Sequence, residues 1–221
     1  MGSVRLFQIP HSPFCLAIAR ALEACGTEFE RVNVSNGNRA AIIELTRGSS
    51  YEVPVLEHGN QVVFESGPDS QDIARYVDRV FGGGRLFPDR WEGLQALMLP
   101  HLENDIEGVT FRLADIHFVP GIADPVERLM VQRHKERKFG RGCLDQWRRD
   151  REALMAEATR RLGPYDAMLK HMPFLTGDMP VYVDFLLHGI LSNLTFQDWN
   201  PLPPLPRIQS WFARTGSFRH G

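Results

Sequence analysis

Apolar and polar positions change rhythm part-way along this chain, from short strand-length runs to long stretches with helical spacing. Residues 4–9 (Val-Arg-Leu-Phe-Gln-Ile) read as a first strand. Pro10-His11-Ser12-Pro13 then turns the chain into a helix. Ser12 suits its N-cap, and Pro13 the first helical position, where a missing N–H costs nothing. Gly26 stands where a left-handed cap would end that helix. Cys15, Ile18, Leu22 and Cys25 share one stripe, so both cysteines are expected to face inward. A strand over 29–34, a short helix over 40–45, and strands over 53–56 and 61–64 follow. His58-Gly59-Asn60 between the last two is a hairpin signal, and a helix over 70–80 completes a βαβ-α-ββα order.

Residues 82–90 are rich in Gly and Pro and read as a linker. Past them strand signals vanish, and 91–117, 124–139, 144–172, 181–195 and 205–215 all read as helix. Pro120-Gly121, the glycines at 140 and 142, and the prolines within 201–204 are the expected breaks. The pattern predicts an α/β domain over 1–81 and an all-helical domain over 91–221.

Composition narrows the function. With 43% apolar and 24% charged residues the chain has an ordinary globular make-up. A net charge of -2, mixed along the sequence, offers no field for nucleic acid or for an acidic membrane. No apolar run has the length of a bilayer span or a signal-peptide core, so the expected location is the cytoplasm. Cys15, Cys25 and Cys143 are irregularly spaced and make neither a disulfide framework nor a zinc site. His101 and His117 lack metal-ligand spacing, and no metal is expected. The charge clusters at 134–138 and 148–151 read as solvated helix faces, and Gly82-Gly83-Gly84 lacks the Gly-Lys-Ser/Thr of a phosphate loop.

The candidate chemistry sits at Ser12. A thiol nucleophile works as its thiolate, which needs a hydrogen-bond donor and local positive potential. A hydroxyl at a helix N-terminus supplies the donor, and the unpaired N–H groups and helix dipole supply the potential. Cys15 is the competitor: Ser12-Pro13-Phe14-Cys15 keeps Cys-x-x-Cys spacing with serine in the first, nucleophilic place. A buried cysteine without a base is usually only a small apolar residue.

Ser-Pro-Phe-Cys opening the first helix and Val53-Pro54 opening the third strand resemble the cytosolic glutathione S-transferase family. So does residues 174–185 (Phe-Leu-Thr-Gly-Asp-Met-Pro-Val-Tyr-Val-Asp-Phe), like the segment leading into that family's buried helix, and so does 203–214 with Trp211. The resemblance covers nearly the whole chain and implies a thioredoxin-like α/β N-terminal domain followed by an all-α C-terminal domain. It implies glutathione as co-substrate, with Ser12 donating to its sulfur. A hydrophobic, aromatic electrophile would sit in a pocket walled by the helical domain, and the protein would be a homodimer. It also implies a cis Val53-Pro54 bond, with the Val53 backbone pairing with the cysteinyl part of glutathione. For the γ-glutamyl end, Asp69-Ser70-Gln71-Asp72-Ile73-Ala74-Arg75-Tyr76 matches the family's acid-Ser-x-x-Ile-x-x-Tyr pattern, whereas Glu65-Ser66 lies at the usual distance after Pro54. Asp69 and Ser70 are preferred, because Pro68 disfavours a helix starting at Ser66, and Glu65 would then be a strand-end residue. One departure is Val181 at the cap position of the helix containing Asp184, where Ser or Thr is usual and where losing the cap costs about 1 kcal/mol.

The helical half looks most like bacterial and fungal members that include aryl-ether-cleaving enzymes. Two other readings stay open. One is a glutathione-dependent thiol oxidoreductase using Cys15, and the other a glutathione- or ligand-binding protein without turnover.

Overall fold

The structure, a computed structural model, describes residues 2–67 and 70–220. The chain runs β1 (Val4–Gln8), α1 (Pro13–Ala24), β2 (Glu30–Asn33), α2 (Ala40–Leu45), β3 (Val55–His58), β4 (Gln61–Val63) and α3 (Asp72–Val77). The strands form one mixed sheet in the order β2-β1-β3-β4, with β1 parallel to β2 and antiparallel to β3. Central position explains why β1 is apolar on both faces. Val4 and Leu6, with Leu56 of β3, face the core that includes α1 and α3, while Phe7 and Val55 pack with Ile42 of α2. This is a thioredoxin-like α/β domain.

Helices make up the rest, apart from a single isolated bridge between Phe174 and Gly177 among the described residues. They are α4 (Asp89–Pro100), α5 (Glu107–Gly121), α6 (Pro125–Phe139), α7 (Cys143–Arg149), α8 (Arg151–Met168), α9 (Tyr182–Leu194) and α10 (Pro206–Ser217). A wide π-type segment, His101–Ile106, joins α4 to α5, so the helix expected over 91–117 is one long rod reaching from Asp89 to Gly121. Pro120 lies inside its last turn rather than ending it. The helix expected over 144–172 is two helices, broken at Asp150. Likewise the helix expected over 70–80 starts at Asp72 and widens into a π-type turn over Asp78–Gly82.

The Gly/Pro-rich connection is pinned rather than loose. Asp78 accepts the amides of Leu86 (2.9 Å) and Phe87 (3.0 Å), and Leu86 and Phe87 are buried. The Leu86 carbonyl in turn accepts Tyr182 N–H (2.9 Å) and Gln95 Nε2 (3.1 Å).

The two parts meet through α1 and α9. Both helices are buried almost all round, wider than the single stripe the sequence pattern suggests for α1, because α1 lies between the sheet and α9. At the crossing, a Cβ on Gly189 would lie 2.4 Å from the Pro13 carbonyl oxygen and 2.7 Å from Ala17 N. Asp184 offsets the missing cap at Val181: its carboxylate accepts Val181 N–H (3.1 Å), Leu175 N–H (2.9 Å) and Trp211 Nε1–H (2.8 Å). One buried side chain thereby joins α9, the 174–177 turn and α10.

Gly189→Ala is expected to lower stability by about 2–3 kcal/mol or more, since backbone on both sides blocks the methyl. Gly93→Ala, at an exposed position of α4 with open space around it, should be neutral or stabilising by up to about 1 kcal/mol. Urea unfolding of the two variants measures the contrast.

Candidate functional site

Ser12 caps α1 as its position predicts. The turn closes through Ser12 N–H to the Ile9 carbonyl (3.0 Å), and Ser12 takes extended dihedrals (φ -61°, ψ 126°). Its Oγ accepts Cys15 N–H at 3.5 Å, a long bond that leaves the hydroxyl hydrogen free to donate elsewhere. The residue before it is fixed from the other domain, with Asn193 Nδ2 of α9 donating to the His11 carbonyl at 2.6 Å.

Cys15 lies one turn inside and is fully buried. Burial pushes its thiol up to about 11, and the Ser12 hydroxyl, the Ile9 backbone, Arg39 and Arg31 offset this only in part. Cys25 is half-buried and is likewise pushed up to about 11 by burial. Neither is poised as a thiolate. Arg39 adds a cation beside this helix N-terminus: Nη2 donates to Asn36 Oδ1 (3.0 Å), while Nη1 is buried without a hydrogen-bond partner.

The Val53-Pro54 peptide is cis. Both residues line a cavity of about 270 Å³ with Glu65, Ser70, Gln71, Phe14 and Ile18, closed on the far side by Glu103, Asn104 and Tyr182. Val53, Pro54 and Ser70 are thus brought together. Ser12 is not in the lining, although Phe14 and Ile18 of its helix are. Asp69 lies outside the described residues.

Glu65 does more than end a strand. Its carboxylate accepts Asp72 N–H (2.8 Å), Ile73 N–H (3.3 Å) and the Ser70 hydroxyl (2.6 Å), capping α3 from five to eight residues away. Asp72 reciprocates by accepting Ser66 N–H at 2.8 Å. The alternatives Glu65-Ser66 and Asp69-Ser70 therefore meet in a mixed arrangement, Glu65 with Ser70. Burial raises the Glu65 pKa against these donors, which lower it. A second carboxylate, Glu103, accepts Gln71 Nε2 (2.7 Å) and joins α3 to the long rod. Sequence pattern missed Glu103, Asn104 and Tyr182 because they converge only through tertiary packing.

An aromatic cluster adjoins Ser12. The His11 ring sits 4.0 Å from Phe118 of α5, 5.6 Å from Trp199 and 5.9 Å from Phe196. Left-handed backbone at Gln197 and Asp198 shapes the turn that carries the last two rings. Burial, reinforced by Lys135, pushes His11 down to about 4, and burial does the same to His188 under α10. No group of metal-ligating side chains occurs among the described residues, and no helix there is long and apolar enough to cross a membrane.

Comparison with known proteins adds the following. Residues 2–79 match the family model described as glutathione S-transferase, N-terminal domain. Glutathione S-transferase 4 of Zea mays is 24% identical over 220 residues, spanning 95% of this chain and 86% of that protein. Among solved structures, a glutathione transferase from Phanerochaete chrysosporium superposes with a TM-score of 0.80 at 14% identity, covering 99% of this chain and 98% of that one. Glutaredoxin 2 of Salmonella typhimurium, solved in complex with glutathione, gives 0.74 at 20% identity, covering 98% and 95%.

Both histidines are neutral in the fold, so the unfolded chain takes up their protons first as pH falls below 6.5. Their contribution is complete above that pH and is lost progressively down to about 4. Between pH 6.5 and 5 the unmodified protein is expected to lose about 1.5 kcal/mol more than His11→Gln, read from urea midpoints.

Residues 2–79 thus form a glutathione S-transferase N-terminal domain, and the chain as a whole shares the fold of solved glutathione transferases.

Proposed function

We propose that this protein is a glutathione transferase that binds glutathione along the Val53–Ser70 cavity and holds its thiolate with the Ser12 hydroxyl. The observation that carries the reading is one groove lined by the cis Val53-Pro54 edge, by Glu65 and Ser70 at the capped start of α3, and by Phe14 in the first turn of α1, two residues past Ser12. In this reading the Val53 backbone pairs with the cysteinyl unit like an added strand. Ser70 and Asp69, with Glu65 and Glu103 behind Ser70, receive the γ-glutamyl end, where carboxylates suit an ammonium group. The sulfur then reaches the first turn of α1. There Ser12 donates, while the unpaired N–H groups of that turn and nearby Arg39 supply positive potential.

The thiolate attacks an electrophilic carbon of a hydrophobic, aromatic acceptor, and the leaving group on that carbon, chloride in a chlorinated nitroarene, departs with its bonding pair as the C–S bond forms. The Phe118, Phe196 and Trp199 rings around His11 are the surface that favours such an acceptor. The same reading expects a homodimer, with Leu97, 77% exposed on α4, as an apolar position for the partner to cover.

A thiol oxidoreductase is the second reading, favoured by the fold shared with a glutaredoxin. The buried, high-pKa Cys15 weighs against it.

Ser12→Ala is expected to cut kcat/KM for conjugation of a chlorinated nitroarene about 10- to 100-fold, the worth of one hydrogen bond to a charged group. Glutathione affinity should stay near its original value, and Cys15→Ser should retain conjugation. Loss of activity in Cys15→Ser with retention in Ser12→Ala would overturn the assignment.

A further inference from the structure

Helix α6 is unlike its neighbours. None of its fifteen residues is buried, and Val126, Leu129 and Met130 on it are exposed apolar side chains. Its later turns are anchored: Lys135 Nζ lies 2.5 Å from Asp115 and 5.1 Å from the Phe111 ring centroid, and the Phe139 ring packs 5.3 Å from both Phe111 and Trp147. Beyond it the chain turns through Gly140 and Gly142, both with left-handed φ (95° and 74°), backbone that suits glycine.

Its first turn is held differently, by the other domain. The Glu127 carboxylate accepts the Ser35 hydroxyl at 2.8 Å and Gly37 N–H at 3.0 Å. Ser35 and Gly37 belong to the loop after β2, and all three residues lie at the surface rather than in the core. Because β2 runs parallel to β1, this loop leaves the sheet at the same end as the Ile9–Ser12 turn, and Val34 N–H still bonds the Gln8 carbonyl. Arg39, a few residues on, feels both Cys15 of α1 and Glu127 of α6. Two turns further along α6, Lys135 reaches the surroundings of His11. The helix therefore runs from the loop after β2, at the Ser12 end of the sheet, to α5, the helix whose Phe118 packs on His11.

We propose that α6 is a strap across the thiol end of the site, latched by Glu127 onto Ser35 and Gly37, and that this latch sets the size of acceptor that reaches Ser12. The inference rests on the glutathione reading above. With the latch closed, small flat acceptors enter between strap and turn. A bulky acceptor needs the first turns of α6 to lift off the Ser35–Gly37 loop about the 122–124 connection. The two hydrogen bonds are exposed, so opening is cheap and frequent. Gly37 is part of the latch by its size, since a Cβ there would lie 3.1 Å from Glu127 Cγ.

Two variants open the latch from opposite sides, Glu127→Ala on the helix and Gly37→Ala on the loop. Stopped-flow binding of glutathione and of an S-substituted glutathione carrying a bulky aryl group is the measurement, together with hydrogen exchange of the free protein. Both variants are expected to speed association and dissociation of the bulky conjugate about three- to tenfold, leaving glutathione itself unchanged. Amides in the first turns of α6 should exchange faster by a similar factor, and those of α9 should not. Equal effects on both ligands, or rates and exchange that match the unmodified protein, would overturn the latch. If neither glutathione nor its conjugate binds the unmodified protein, the glutathione reading fails with it, while the exchange data still decide whether Glu127 holds α6.

Discussion

The close crossing of α9 over the start of α1, possible only because residue 189 has no side chain, is the constraint on which the site depends. It brings the helical half against the backbone of Pro13, one residue past Ser12, and of Ala17, one turn further on. From that position Asn193, one turn further along α9, reaches the His11 carbonyl and fixes the turn ahead of the hydroxyl. Asp184 at the other end of α9 gathers Val181, Leu175 and Trp211, so the helix that sets the turn is itself held at its N-terminus. The Ser12 turn thus belongs to the first domain in sequence and to both domains in mechanics.

Around this junction the site is divided by polarity. One end is built from carboxylates and a hydroxyl at the start of α3, the other from aromatic rings around a neutral His11. A ligand with an ionic end and a sulfur end fits such a groove in one direction only. The cysteines have no part in that division: burial raises the pKa of Cys15 and Cys25, and in the proposed reading it is the capping hydroxyl that meets the thiolate.

Much of this was legible in the residues. The Ser12-Pro13 start of α1 and the inward Cys15 follow from local capping and periodicity, rules that act within a few residues. The α2 helix and the two-residue Gly59-Asn60 hairpin follow in the same way. What was not legible depends on distant partners. The π-type widening at His101–Ile106, the break at Asp150 and the role of Glu65 as a cap for α3 are settled by packing and by hydrogen bonds across loops. Glu65 was read as a strand end because its three donors lie five to eight residues further on, where no fixed capping spacing applies. Glu127 likewise looks like an ordinary first-turn acid until the fold brings Ser35 and Gly37 to it.

The most direct test of the account is a crystal structure with glutathione bound. The account predicts the sulfur within hydrogen-bond distance of Ser12 Oγ, about 3.5 Å or less, and the γ-glutamyl end against Ser70 beside Glu65. A sulfur paired with Cys15 instead, or glutathione lying away from the Val53-Pro54 edge, would contradict it.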